Sequence, residues 1–358
     1  MRVHNFNAGP AALPLPVLET VRHELIELPD LGMSVMEMSH RSQPFDAILE
    51  RAESGIRRLL GLADDFAVLF LGGGASLQFS MAPMNLLQNG ARGDYLVNGS
   101  WGVKALAEAQ KEGAAREAAN TKSAAFRRVP TREETSLDAG AKYVHFTSNE
   151  TIEGVQWPRE PQTGGVPLIC DASSDILSRP LDIQKYGLIY AGAQKNIGPS
   201  GATVVIVKKE WTAPNPKLAT MLSYATHAKE RSLYNTPNTF AIYMIGLVCE
   251  WIESLGGLEG MQTRAAQKSN LIYDAIDRSD FYQGFADKDS RSQMNVTFRL
   301  PSEELEAQFA QEAENAGLIG LKGHRSVGGL RASIYNAVEP ESVRVLVELM
   351  REFERVNG

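Results

Sequence analysis

Cysteine is almost missing from this chain. Two residues in 358, Cys170 and Cys249, cannot build a disulfide framework, which excludes a small oxidised scaffold. Both sit in apolar runs and read as core residues. An excess of basic charge is missing as well. The 36 Lys and Arg are outnumbered by 43 Asp and Glu, leaving a net charge of -7. That argues against a nucleic-acid partner, which requires a basic face. It does not argue against small anions, because a local arginine cluster can sit in an acidic protein. No apolar run approaches the roughly 18 residues of a membrane span, and the opening MRVHNFNAGPAALP has no secretory apolar stretch. Repeats and low-complexity tracts are absent, and no metal site is expected. What remains is a soluble, cytoplasmic, globular protein without a membrane or nucleic-acid partner.

Hydrophobic residues are plentiful, at 43%, enough for one large domain and a smaller one. Short β-rich runs alternate with helical stretches: FAVLFL (66–71), DYLVNG (94–99), YVHFTS (143–148), VPLICD (166–171), GLIYAG (187–192) and ATVVIV (202–207). This alternation predicts an α/β fold, a mainly parallel sheet covered by helices on both faces. Phe240, Tyr243, Met244, Leu247, Val248, Trp251, Ile252 and Leu255 fall on one face of a helix, and GGLEG (256–260) stops it. After it the order changes. A helix, the strand MNVTFRL (294–300), a helix from Ser302, the strand LRASIY (330–335) and a last helix from about Glu339 predict a smaller α+β domain. The division read from the sequence is an N-terminal segment, 1–15, packing with the small domain, a large domain, 16–256, and a small domain, 257–358. Residues 110–140 carry the weakest signal.

Chemistry concentrates at strand ends. In IYAGAQKNIGPSG (189–201), Lys195 lies between two apolar runs. It is either a solvated turn residue or an amine held in a cleft. Asp171 ends VPLIC and is either a cap for the serines after it or a ligand-binding carboxylate, since open α/β sheets bind beyond the carboxyl ends of their strands. Together the two suggest pyridoxal phosphate. A lysine that condenses with that cofactor needs an acid to keep the ring nitrogen protonated, so that the ring accepts electrons from the substrate's Cα–H bond. FLGGGASLQF (70–79) is a strand, a glycine turn and a helix start. Backbone N–H groups of Ala75 and Ser76 would cradle a phosphate there. An ordinary turn reads equally well, and a dinucleotide fingerprint fails because Leu77 stands where its third glycine belongs. His-Arg-Ser occurs twice, at His40–Arg41 and His324–Arg325, with Arg331 close behind the second, and suggests an anion site. Trp101, after a strand end, either stacks on a flat ring or belongs to the core.

These motifs resemble the phosphoserine aminotransferase family, a group of class V, fold-type I pyridoxal-phosphate transferases. The resemblance runs the whole length, through FNAGPAALP, SVMEMSHRS, NETIEGV, DASSDILSRP, YAGAQKNIGPSG, LYNTPNTF and GHRSVGGLRASIYNA. It implies amino transfer between glutamate and 3-phosphohydroxypyruvate, giving phosphoserine and 2-oxoglutarate, and a site suited also to the longer analogue of pyridoxine biosynthesis. It implies that Lys195 binds pyridoxal phosphate covalently, that Asp171 pairs with the ring nitrogen, that Trp101 stacks on the ring and that Thr151 bonds its 3-hydroxyl. Ala75, Ser76 and Gln194 would hold the phosphate. Asn235 and Thr236 would reach it from a second subunit, making a homodimer with a shared site. His40, Arg41, His324, Arg325 and Arg331 would bind substrate anions. Some members carry GGGRGQF where this chain has GGGASLQF, so an arginine they have is missing here. The alternatives are a serine–glyoxylate-type transaminase, a desulfurase, which needs a reactive loop cysteine, and a non-catalytic phosphometabolite binder.

Overall fold

The computed structural model describes residues 2–358. The first half runs β1 (His4–Asn5), α1 (Leu15–Glu24), α2 (Gln43–Leu60), β2 (Phe66–Leu71), α3 (Gly74–Leu86), β3 (Arg92–Val97), α4 (Ser100–Glu112), β4 (Ala114–Asn120), β5 (Tyr143–Thr147), β6 (Asn149–Glu150), β7 (Val155–Gln156) and β8 (Leu168–Asp171). It continues through β9 (Tyr186–Gly192), β10 (Thr203–Lys208), α5 (Tyr224–Lys229), α6 (Thr239–Ser254), α7 (Gly257–Asp277), β11 (Gln283–Gly284), β12 (Asn295–Arg299), α8 (Glu303–Asn315), β13 (Leu318–Ile319), β14 (Leu330–Ser333) and α9 (Pro340–Asn357).

Seven strands form the main sheet in the order β2-β10-β9-β8-β5-β3-β4. All neighbours from β9 to β4 are parallel, and β10 runs antiparallel to both of its own. Their side chains are buried almost throughout because helices cover both faces. The α2 and α6 side buries Phe45, Leu49, Ile56, Ile242 and Val248, while the α3, α4 and α5 side buries Phe79, Leu106 and Tyr224. Each such large apolar side chain contributes about 1.5–3 kcal/mol. The edge at β2 is blunted by tertiary contact, since Ser232 Oγ accepts the Phe70 N–H at 2.9 Å.

Helix α2 shows how locally the boundaries are set. Ser42 caps it by accepting the Phe45 N–H, Pro44 sits in its first turn, and Gly61 ends it at φ 61° with its N–H on Arg57 O and Arg58 O. Helix α6 departs from the sequence reading. It covers the expected residues, but Ala241 to Cys249 are buried without a break. Helices α1, α2 and α7 pack around it, so its apolar character surrounds the axis instead of forming one stripe. Residues 114–120, which carry little signal in the sequence, form the edge strand β4.

The C-terminal part packs α7, α8 and α9 on the sheet β11-β12-β14. The chain's beginning joins it: β1 pairs with β13, and Phe6 is fully buried in this second core. Helix α7 spans both cores, placing Leu258 and Met261 in one and Ile272 and Ile276 in the other. No single helix among the described residues is long and apolar enough to cross a membrane.

Candidate active site

Strands β8 and β9 are parallel neighbours, so Asp171 and Lys195 leave the sheet at the same edge. Asp171 is 4% exposed. Its Oδ1 accepts the Ser173 N–H at 3.0 Å and the Ser173 hydroxyl at 2.6 Å, while Oδ2 has no hydrogen-bond partner among the described residues. Burial raises its pKa, against the pull of Ser173 and of Lys195. The Lys195 loop is held on both sides. Asn196 accepts the Asn336 N–H and donates to Ser174 O, and Gln194 O accepts the Ala11 N–H. Gly9 lies against the lysine stem, where a Cβ would sit 3.5 Å from Lys195 Cγ.

The Lys195 side chain keeps a partly open face, yet its amine is deep. Its pKa falls from 10.5 to about 8, first through burial and secondarily through the positive charge of Arg331, with Asp171 opposing both. Lys195 Nζ donates to Thr151 Oγ1 at 2.7 Å. The carbonyl of the same threonine accepts from Arg331 at 3.2 Å. Thr151 thus joins a reactive amine to a half-buried guanidinium whose Nε has no partner. Burial lowers the Arg331 pKa, with Tyr335 and Glu153 opposing it. Trp101, in the first turn of α4, packs partly against the core and places its ring centroid 5.8 Å from Lys195 Nζ. Its buried Nε1 is unpartnered.

The GGGAS turn begins α3 without a side-chain cap. Gly73 and Gly74 have φ of 85° and 69°, and a Cβ on Gly72 or Gly74 would meet nothing within 4 Å. The first backbone N–H groups of α3, including those of Ala75 and Ser76, have no acceptor among the described residues and stand at the positive end of a helix. Gln194 folds over the backbone at Gly192, where a Cβ would come 2.6 Å from its Oε1.

Other expected site residues are placed less closely. His324 Nδ1 is 2.6 Å from Ser326 Oγ, and burial together with Arg331, Arg325 and Lys104 lowers its pKa. Arg325 is exposed and has no ion pair among the described residues. His40 is half-buried with Nε2 unpartnered, and Arg41 is exposed. Neither has a hydrogen bond or ion pair to the Lys195 cluster. Asn235 and Thr236 are exposed and line a cavity with Gly72, Gly201 and His227. The two cysteines are buried, which removes the loop thiol a desulfurase needs. The sequence reading passed over Glu150 and Glu153, which lie beside Thr151 and bond the start of α4. The only signal for them was the acidic pair within NETIEG.

These residues suit pyridoxal phosphate. The free Asp171 oxygen, the indole face of Trp101, the Lys195 amine and the uncapped glycine turn at α3 match its ring nitrogen, ring, aldehyde and phosphate.

The comparisons agree. The Aminotransferase class-V family model matches residues 3–346, and the chain belongs to that class. A phosphoserine aminotransferase of Desulfosudis oleivorans is 55% identical over 360 residues, covering 100% of this chain and 99% of the relative. The solved phosphoserine aminotransferase from Bacillus circulans subsp. alkalophilus superposes with a TM-score of 0.97 at 54% identity, covering 100% of this chain and 99% of that one. A pyridoxal-phosphate-bound phosphoserine aminotransferase from Trichomonas vaginalis gives 0.94 at 37% identity, covering 98% and 100%. Within class V, the chain belongs to the phosphoserine aminotransferase family.

Proposed function

We propose that this chain catalyses reversible amino transfer between L-glutamate and 3-phosphohydroxypyruvate, giving O-phospho-L-serine and 2-oxoglutarate, with pyridoxal phosphate as cofactor. The observation that carries this is the double contact of Thr151, to Lys195 Nζ at 2.7 Å and to Arg331 at 3.2 Å. An amino acid whose α-carboxylate pairs with Arg331 presents its Cα toward the Lys195 amine.

When bound, pyridoxal phosphate supplies an electron sink conjugated to the substrate nitrogen. Asp171, whose Oδ2 is free, would hold a proton at the ring nitrogen. The N–H groups of Ala75 and Ser76, with the Gln194 side chain, bind the phosphate. Trp101 would cover one ring face and exclude water from it. Thr151 Oγ1 orients the Lys195 amine and would bond the ring's 3-hydroxyl. Lys195, with its pKa lowered to about 8, would take the proton from substrate Cα as a general base and, as the ammonium, would give it up at the carbon that carried the cofactor's aldehyde. Arg331 grips the α-carboxylate that all substrates share. His40, Arg41, His324 and Arg325 meet the distal carboxylate or phosphate.

The working form is a cytoplasmic homodimer in which Asn235 and Thr236 reach the partner's phosphate. The exposure of both residues supports this. So do the exposed Leu25, Ile26, Leu31, Met33, Met36 and Tyr234, an unusual set of large apolar side chains in open contact with water. The division is an N-terminal segment, 1–15, a large cofactor-binding domain, 16–256, and a small domain, 257–358. The separate core containing Phe6, Ile272 and Phe353 supports it. The test mixes purified holoenzyme with phosphoserine and 2-oxoglutarate and assays glutamate. Glutamate forms with phosphoserine and far more slowly with serine. A protein that binds the cofactor and yields no glutamate from phosphoserine would refute the assignment.

A further inference from the structure

The start of α4 is held by an unusual arrangement. Its N-cap, Gly99, has no side chain to offer, and all three of the first backbone N–H groups find acceptors on a turn about 50 residues further on. Glu150 accepts from Trp101 N at 2.9 Å and from Gly102 N at 2.8 Å. Glu153 accepts from Ser100 N at 3.0 Å and from Ser100 Oγ at 2.5 Å. Glycine makes the room. A Cβ on Gly99 would fall 2.4 Å from Glu150 Cγ, and one on Gly102 would fall 3.3 Å from Glu150 Oε1.

Capping this helix required nothing so elaborate, since a Ser, Thr, Asp or Asn at position 99 would suffice. Instead two carboxyls are buried, at 0% and 3% exposure, and neither has an ion pair among the described residues. Burial raises both pKa values, and for Glu150 the neighbouring Glu153 adds to the rise. Such burial is unfavourable unless hydrogen bonds offset it. The turn they occupy is fixed from below. Thr297 Oγ1 donates to Glu153 O at 2.7 Å, and a Cβ on Gly154 would fall 2.6 Å from that hydroxyl. Between the two glutamates stands Thr151, which accepts from Lys195. One rigid turn therefore touches both the reactive amine and the helix turn that carries Trp101.

We infer that Glu150 and Glu153 are positioning residues that lock the first turn of α4 to residues 151–154 and thereby hold the Trp101 indole at its distance from Lys195 Nζ. This rests on reading Trp101 as the platform for the cofactor ring. It also accounts for the division of labour between two helix N-termini. That of α4 has its N–H groups already taken, and that of α3 leaves its own free for the phosphate.

A double-mutant cycle on the holoenzyme tests the inference, using Glu150→Gln, Trp101→Ala and the pair. The readouts are the rate of cofactor loss on dilution and the visible circular dichroism of the bound cofactor. Losing one of the two Glu150 bonds to the helix turn speeds cofactor loss about tenfold and weakens the dichroism, as does Trp101→Ala. The double variant loses cofactor no faster than Trp101→Ala alone, because the glutamate acts through the indole. Should Glu150→Gln multiply the loss by the same factor in both backgrounds, the inference is overturned. Should Trp101→Ala alone change neither readout, the platform reading itself fails. Glu153→Gln, which keeps one acceptor for Ser100, gives a smaller change in the same direction. If Glu150→Gln does not fold, the Glu153→Gln cycle decides by the same outcomes.

Discussion

The Lys195 amine titrates far below an ordinary lysine, at about 8 instead of 10.5, and this has a measurable consequence. At pH 7 a lysine at 10.5 is neutral in about one molecule in 3,000, and one at 8 in about one in ten, a gain of roughly 300-fold in the form that reacts with a carbonyl. The assay is recovery of the visible band when pyridoxal phosphate is added to apoenzyme, measured from pH 6.5 to 10 with a Lys195→Ala background subtracted. The rate rises about tenfold per pH unit and flattens near pH 8. The signs of two variants follow from the charges around the amine. The Asp171 carboxylate stabilises the ammonium, so Asp171→Asn moves the midpoint below 8. Arg331 destabilises it, so Arg331→Ala moves the midpoint up. A rate still climbing at pH 10, or the same midpoint in all three proteins, would refute the account of how this lysine is activated.

Arg325→Ala lowers the preference for phosphoserine over serine by about tenfold to a hundredfold, one charge-assisted contact, with little change in the slow serine reaction. Arg331→Ala slows phosphoserine, glutamate and serine alike. Single-turnover bleaching of the cofactor band with each amino acid separates the two outcomes. Mixed Lys195→Ala and Thr236→Ala chains regain activity on subunit exchange, because one hybrid site is intact. Exchange without recovery would mean that each site is built from one chain. Lys268 is 1% exposed, donates to Tyr335 O and Val338 O at 2.6 and 2.9 Å, and has its pKa lowered to about 7 by burial. Its unfolded state binds the extra proton between pH 7 and 10.5, so this residue makes apoenzyme stability rise with pH across that window, by up to about 1.4 kcal/mol per pKa unit. Lys268→Met flattens that rise in thermal unfolding, and an unchanged slope would contradict it.

Much of this protein is legible in its sequence because the signals are local. An apolar run ending in Asp171, a glycine turn after FAVLFL and a lysine between two buried runs each depend on a dozen neighbouring residues. The observed β2, β8 and β9 lie within a residue or two of where the pattern puts them. Parallel pairing then brings Asp171 and Lys195 to one edge, a consequence of β/α alternation and handed crossovers. The tertiary structure alone decides what depends on distant partners. The edge strand β4, with its alanines and charges, pairs because β3 is there to receive it. Helix α6 is buried without a break from Ala241 to Cys249 because three other helices surround it. The contact of Arg331 with Thr151 spans 180 residues, and the carboxyls of Glu150 and Glu153 reach α4 across about 50. No periodicity or spacing carries such pairings. They are fixed by which buried N–H groups lack an acceptor once the chain has folded, and that is a property of the assembled interior.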